Sequence, residues 1–146
     1  MQIKEFAAKY NLPTDTVRYY EKEKLLMPKR QQNGYRIFDD ACEKNIQFII
    51  VLRQLGFTLQ EIQQLLALEQ KPISATCNQQ TVQLFSSKIT KIEQQIIFYQ
   101  KALQSLHLAQ TLMAEGKYGE NKEAMALQIE AMYRSLQGRN DDYVSP

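Results

Sequence analysis

A single histidine, His107, and the lack of any glycine-rich phosphate-binding stretch leave this chain without the parts most enzymes need. No nucleophile is paired with a base along it, so catalysis has little support. Cysteine occurs twice, at Cys42 and Cys77, too few for a disulfide framework, and a reducing compartment would keep both as thiols. No apolar run approaches the ~18 residues of a membrane span. The opening "MQIKEFAAKYNLP" has neither the apolar centre nor the cleavage site of a signal peptide. A cytoplasmic protein with no membrane partner and no cofactor is expected. Global disorder is excluded too, because 44% of the residues are hydrophobic.

What is present is unevenly placed. The net charge of +2 divides into eight Lys/Arg against four Asp/Glu over residues 1–38, three against five over 39–75, and seven against seven over 76–146. A basic excess confined to the first segment points to a polyanionic partner, although a solvated face would carry the same excess. Within that segment lies "TVRYYEKEKLL" (Thr16–Leu26). Ile3, Phe6, Ala7 and Tyr10 share one helical face before it, and "YNLPT" breaks that helix. Thr14 or Asp15 is expected to cap a second helix that buries Val17, Tyr20 and Leu25. Two short helices about a tight break form the helix-turn-helix pattern. The spacing alone would also fit many small helical domains.

"MPKRQQNGYRIF" follows. Pro28 stops the helix, Asn33-Gly34 is a reverse-turn pair, and Tyr35, Ile37 and Phe38 favour strand. The expectation is a two-stranded wing with Lys29, Arg30 and Arg36 about its turn, or a plain surface hairpin with incidental charge. Asp40 to Glu43 and Thr58 to Glu61 read as capping boxes opening two further helices, the first ended by Gly56. Pro72, in "EQKPIS" (Glu69–Ser74), marks a linker.

Beyond it the pattern changes. Val82, Phe85, Ile89, Ile92, Ile96, Tyr99, Leu103 and Leu106 follow one another at alternating steps of three and four, and Met113 resumes the series after Gln110. This is a heptad seam. A helix of roughly 45 Å at 1.5 Å per residue is too long for a small globule to bury, and a second copy is the economical partner. A last helix places Met125, Ile129, Met132 and Leu136 on one face before Gly138. Residues 1–70, 71–76, 77–115, 116–138 and 139–146 are therefore expected to form an N-terminal domain, a linker, a long helix, a loop with a short helix, and a tail.

The ordered set "TVRYYE", Leu25, Leu26, Pro28 and Arg30, "NGYR" (Asn33–Arg36) and "LRQLGFTLQEIQQLL" (Leu52–Leu66) resembles the mercury-resistance-regulator (MerR) family of bacterial transcription factors over about half the chain. The resemblance implies a mainly α fold: a winged helix-turn-helix DNA-binding domain, a long antiparallel coiled-coil dimerisation helix and a short C-terminal helix. It implies a homodimer on double-stranded promoter DNA, with a palindromic operator. The dimer would distort the promoter, which RNA polymerase shares, in response to an effector. The residues expected on DNA are Thr14, Thr16, Arg18 and Tyr19 of the second helix and Lys29, Arg30, Asn33, Tyr35 and Arg36 of the wing. Arg18 suits a bidentate contact, and the wing suits the flanking backbone. Val82, Phe85, Ile89, Ile92, Ile96, Tyr99, Leu103 and Leu106 are expected to dimerise.

Three departures from the family pattern stand out. Lys24 occupies the place of a helix-stopping glycine, which requires a left-handed residue or a different ending. Phe38 replaces a tyrosine and removes one hydroxyl from the phosphate-contact candidates. Third, Cys77 matches a metal sensor's first cysteine, but Leu112–Met125 holds no Cys or His, and soft ions want two or three thiolates. No metal site is expected. Along one helix His107 lies too far from Cys77 to join it. Near a helix start, Cys77 suits an electrophile or redox sensor, or is a small interface residue. Val51 stands where the family's aldehyde sensors carry cysteine. A small organic effector beneath the last helix is a further option. The rival class is a coiled-coil interaction protein that never touches DNA, which leaves the arginine-tyrosine set and wing unexplained.

Overall fold

The computed structural model describes residues 1–69 and 75–137, apart from the side chains of residues 75–77. The elements run α1 (Ile3–Lys9), α2 (Thr14–Lys22), β1 (Lys29–Arg30), β2 (Arg36–Ile37), α3 (Asp40–Gln54), α4 (Leu59–Ala67), α5 (Ala75–Ala114) and α6 (Lys122–Gln137), with a 3-10 turn at Gly119–Asn121. The fold is mainly α, as expected. The chain divides into two compact units between Gln83 and Leu84, within α5. The expected linker lies largely outside the described residues, though α5 already begins at Ala75, and the expected tail, 139–146, lies wholly outside them.

In the first unit the apolar positions of four short helices close around one another. Phe6, Val17, Leu25, Leu26, Phe38, Ile46, Ile49 and Ile62 are all essentially sealed from solvent. Phe6 stacks on Phe38 with ring centroids 4.6 Å apart and tilts against Tyr10 at 5.1 Å. Phe38 is therefore core. Tyr20 is only half-buried, so Val17, Leu25 and Leu26 carry most of the burial assigned to that stretch.

Helix starts follow local chemistry, with two corrections. Pro13, not Thr14 or Asp15, is the N-cap of α2, and no side chain caps it. Its preset φ of −62° suits the boundary, and its carbonyl accepts from the N–H groups of Thr16 and Val17 at 3.1 and 3.3 Å. Thr14 is already the first helical residue. In α3 the cap is Asp39, one residue before the expected Asp40, and its Oδ1 accepts from the Cys42 N–H at 3.1 Å. The expected box does not form, because a cap at Asp39 puts Cys42 rather than Glu43 at the third helical position, and Glu43 accepts from Lys9 of α1. The box at Thr58 and Glu61 does form, with reciprocal bonds of 3.1 and 2.8 Å.

Four helices end in the same way. After α1, α2, α3 and α5, the residues Asn11, Lys24, Gly56 and Gly116 take φ of +53°, +60°, +91° and +70°. Each is followed by the six-to-one backbone bond of a Schellman motif; after α2 it runs from the Leu25 N–H to the Tyr20 carbonyl at 2.9 Å. Lys24 thus adopts the left-handed conformation its glycine-like position demanded. Side-chain amides brace both flanks of that turn. Gln63 donates to the Glu23 carbonyl at 2.9 Å and Asn45 to the Leu25 carbonyl at 3.5 Å.

The second unit pairs the later part of α5 with α6. Buried Ser105 donates to Gln128 Oε1 at 2.6 Å and lies 3.8 Å from Met132 Sδ. The covered side of α6 therefore runs through Met125, Gln128, Met132 and Ser135. The expected face of Met125, Ile129, Met132 and Leu136 is corrected accordingly, since Ile129 remains 59% exposed.

Candidate nucleic-acid interface

The exposed side of α2 presents Asp15, Arg18 and Lys22 as one stripe, at spacings of three and four residues. Arg18 Nη1 lies 3.0 Å from Asp15 Oδ1, and the two side chains are 57% and 92% exposed. Tyr19 is exposed beside Arg18, and its ring stands 6.4 Å from that of Tyr20 at a 50° tilt. Thr14 and Thr16 are half-buried at the start of the helix. Val17, fully buried, holds the opposite side of α2 against the core.

The wing is a short antiparallel ribbon with Lys29 opposite Ile37 and Arg30 opposite Arg36. Its turn closes through the Gln31 N–H to the Tyr35 carbonyl at 2.8 Å and the Gly34 N–H to the Gln31 carbonyl at 2.9 Å. Gly34 takes a φ of +84°. Asn33 Oδ1 accepts from the Tyr35 N–H at 3.1 Å, so part of that side chain is used in shaping the loop. Lys29, Arg30, Asn33 and Tyr35 are exposed. Arg36 is different: its Nε lies 2.8 and 2.7 Å from the two Glu21 oxygens, which ties the wing to α2.

Two further ion pairs fasten this unit. Lys9 of α1 meets Glu43 of α3, and Lys29 Nζ stands 3.4 Å from Asp39 Oδ2. The Lys9 bond pulls the Glu43 carboxyl below its ordinary pKa and raises that of Lys9. Asp39 is lowered chiefly by the Cys42 N–H and also by Lys29. Burial pushes the Cys42 thiol up, which keeps it protonated and unreactive.

Sequence reasoning placed Arg18, Tyr19, Lys29, Arg30, Asn33 and Tyr35 where the structure exposes them. It missed Asp15 and Glu21 as arginine partners and Lys22 as the next cation on the stripe. The four-residue spacing from Arg18 signalled Lys22; nothing local signalled Glu21 with Arg36. Among the described residues no cluster of His, Cys, Asp and Glu could hold a metal ion, and no helix is long and apolar enough to cross a membrane. The side chain of Cys77 lies outside the described residues.

Two helices about a tight turn, with a basic hairpin beside the second, define a winged helix-turn-helix protein. Residues 1–69 match the family described as MerR HTH family regulatory protein, and residues 44–108 match the one described as MerR, DNA binding. The HTH-type transcriptional regulator ZntR of Escherichia coli (strain K12) is 31% identical over 106 residues, covering 72% of this chain and 74% of that protein. The mercuric resistance operon regulatory protein of Bacillus cereus is 34% identical over 93 residues, 63% of this chain and 67% of its own. The fold is similar to HiNmlR, a MerR family regulator lacking the sensor domain and bound to promoter DNA, with a TM-score of 0.65 and 21% identity over 86% of this chain and 94% of that one. The chain belongs to the MerR family of DNA-binding transcriptional regulators, which are not enzymes.

Proposed function

We propose that the chain binds a palindromic promoter operator as a homodimer and regulates transcription by distorting that DNA. In this reading residues 1–70 read DNA, 71–76 link, 77–115 dimerise, 116–138 form the effector region and 139–146 trail. The observation that carries it is the seam on α5. Val82, Phe85, Ile89, Ile96, Tyr99, Leu103 and Leu106 are all exposed in the single chain, and Ile92 is half-buried. So long an apolar stripe is costly to leave in water, and its heptad spacing suits a helix from a second copy.

A dimer would carry two α2 helices. Thr14, Thr16, Arg18 and Tyr19 enter the major groove, Arg18 suits a guanine edge, and Lys29, Arg30, Asn33, Tyr35 and Arg36 grip phosphates beside it. Two modules on a rigid seam match half-sites about one helical turn apart. Bending or untwisting DNA between them costs on the order of a few kcal/mol, which phosphate contacts offset, and an effector that prefers one state shifts the balance. RNA polymerase on the same promoter then sees a different geometry. The work is done where the promoter is, in the bacterial cytoplasm.

The Bacillus cereus relative is a mercuric resistance operon regulatory protein. This chain lacks the thiols a soft ion prefers: Leu112–Met125 holds neither Cys nor His, leaving Cys77 alone. An effector that needs no thiolate cluster fits this chain better: a small organic molecule, or an electrophile or redox signal with Cys77 as its target. Footprinting on the chain's own upstream promoter tests the reading. Protection of a two-fold-symmetric site, lost in Arg18→Ala while the dimer persists, is the expected result. Unaltered protection by Arg18→Ala overturns the assignment of α2.

A further inference from the structure

We propose that Asp15 is a specificity-determining positioning residue, which fixes the Arg18 guanidinium for base readout and penalises DNA that Arg18 does not match. The proposal rests on the reading of α2 as the groove-facing helix.

A carboxylate 92% exposed on such a helix needs explaining, because it approaches a polyanion. A capping bond is not the explanation, since α2 has Pro13 at its N-cap and no side-chain cap bond; an acid in the first turn suits the helix dipole, but that accounts for the charge and not for its bond to Arg18. Nor does the pair knit the fold. The Lys9–Glu43, Lys29–Asp39 and Arg36–Glu21 pairs each join separate elements, whereas Asp15–Arg18 lies within α2 and faces outward. An exposed pair three residues apart adds little to helix stability.

What it does to Arg18 is more specific. Asp15 Oδ1 engages one terminal nitrogen, Nη1, at 3.0 Å. The planar guanidinium is then biased toward one orientation, with its other donors left for the paired acceptors of a guanine edge. A long side chain ordered before binding loses less freedom on contact. On a mismatched sequence Arg18 gains no base contact, yet the carboxylate charge still faces the phosphates. That is a repulsive element against wrong partners.

The test selects preferred duplexes from randomised DNA with wild type, Arg18→Ala, Asp15→Ala and Asp15→Asn, then measures operator and unrelated-duplex affinities at one salt concentration. Arg18→Ala identifies the base pair Arg18 reads. Asp15→Ala is expected to relax preference at that same base pair, to bind unrelated DNA more tightly, and to lower the operator-to-unrelated ratio by about three- to tenfold. Asp15→Asn, which keeps an acceptor but not the charge, should restore preference at the base pair while leaving unrelated binding raised. If Arg18→Ala selects the same motif as wild type, the reading of α2 fails and takes this proposal with it. If Arg18→Ala loses a base preference that Asp15→Ala retains, with the ratio unchanged, the proposal alone is overturned. A uniform change on all duplexes by Asp15→Ala also overturns it, since a merely structural role would act that way.

Discussion

The two units of this chain treat apolar surface in opposite ways. In the first, Phe6 and Ile46 are 0% exposed and short helices of seven to fifteen residues satisfy one another. In the second, Ile96 and Leu106 stand 50% and 67% exposed on a forty-residue helix. A short helix contributes one apolar stripe, which three neighbours can cover. A long one carries its stripe past the reach of any small core. α6 covers one side of α5, through Ser105 and Gln128, and leaves the heptad side open. One unit closes a core of its own; the other leaves a heptad-spaced apolar face exposed.

Breaking the closed core should have the largest effect. Phe6→Ala removes the ring stacked between Phe38 and Tyr10 and is expected to destabilise the first unit by about 3–5 kcal/mol in denaturant titration. Self-association through α5 should survive it under native conditions. Breaking the open seam should do the reverse. Ile96→Asp places a charge on the stripe and should weaken dimerisation by about a hundredfold or more in sedimentation equilibrium, with the melting of the first unit unchanged. Retained dimerisation in Ile96→Asp would move the interface off the heptad face.

A smaller effect sharpens how the first unit is tied. Glu43 and Asp39 have folded pKa values below their unfolded ones, so the stability they contribute is present above the ordinary carboxylate range and lost as pH falls through the depressed values. Lys9 is raised, so its contribution is present below the ordinary lysine range and lost as pH rises through the elevated value. The α1–α3 tie should therefore weaken at both extremes, near pH 4 and below and near pH 10 and above. Thermal melts across pH should show both edges in wild type, with Glu43→Gln flattening the alkaline edge and most of the acid one. The smallest effect concerns the turn after α2. Lys24→Gly removes a side chain from a φ of +60° and should stabilise by about 1 kcal/mol, because Gly56 and Gly116 already serve the same motif elsewhere. No gain would mean that the bracing by Gln63 and Asn45 has absorbed the strain.

What could be read from sequence depended on how local the cause was. The long helix that carries the seam, the Thr58–Glu61 box and the Asn33-Gly34 turn are set by residues within a few positions of one another, and each appears as expected. The cap of α3 moved from Asp40 to Asp39 because two adjacent aspartates offer the same oxygen, and the fold took Glu43 for Lys9, 34 residues away. Arg36 was legible as a cation but not as the partner of Glu21, 15 residues earlier, since only the docking of wing on helix brings them together. The face of α6 misled because its covered side includes Gln128 and Ser135, polar groups that a search for apolar periodicity passes over. Asp15 was visible as a cap candidate, and its actual partner lay one helical turn on.

The closing of one unit and the openness of the other make a direct demand on DNA binding, which one measurement can meet. Wild type and Ile96→Asp are titrated onto a palindromic operator duplex and onto a duplex holding a single half-site. Wild type should bind the palindrome about a hundredfold or more tighter than the half-site, and Ile96→Asp should lose that preference while still binding the half-site as wild type does. Equal affinity of the wild type for both duplexes, or an undiminished preference in Ile96→Asp, would contradict the assignment of the α5 seam as the link between two DNA-reading units.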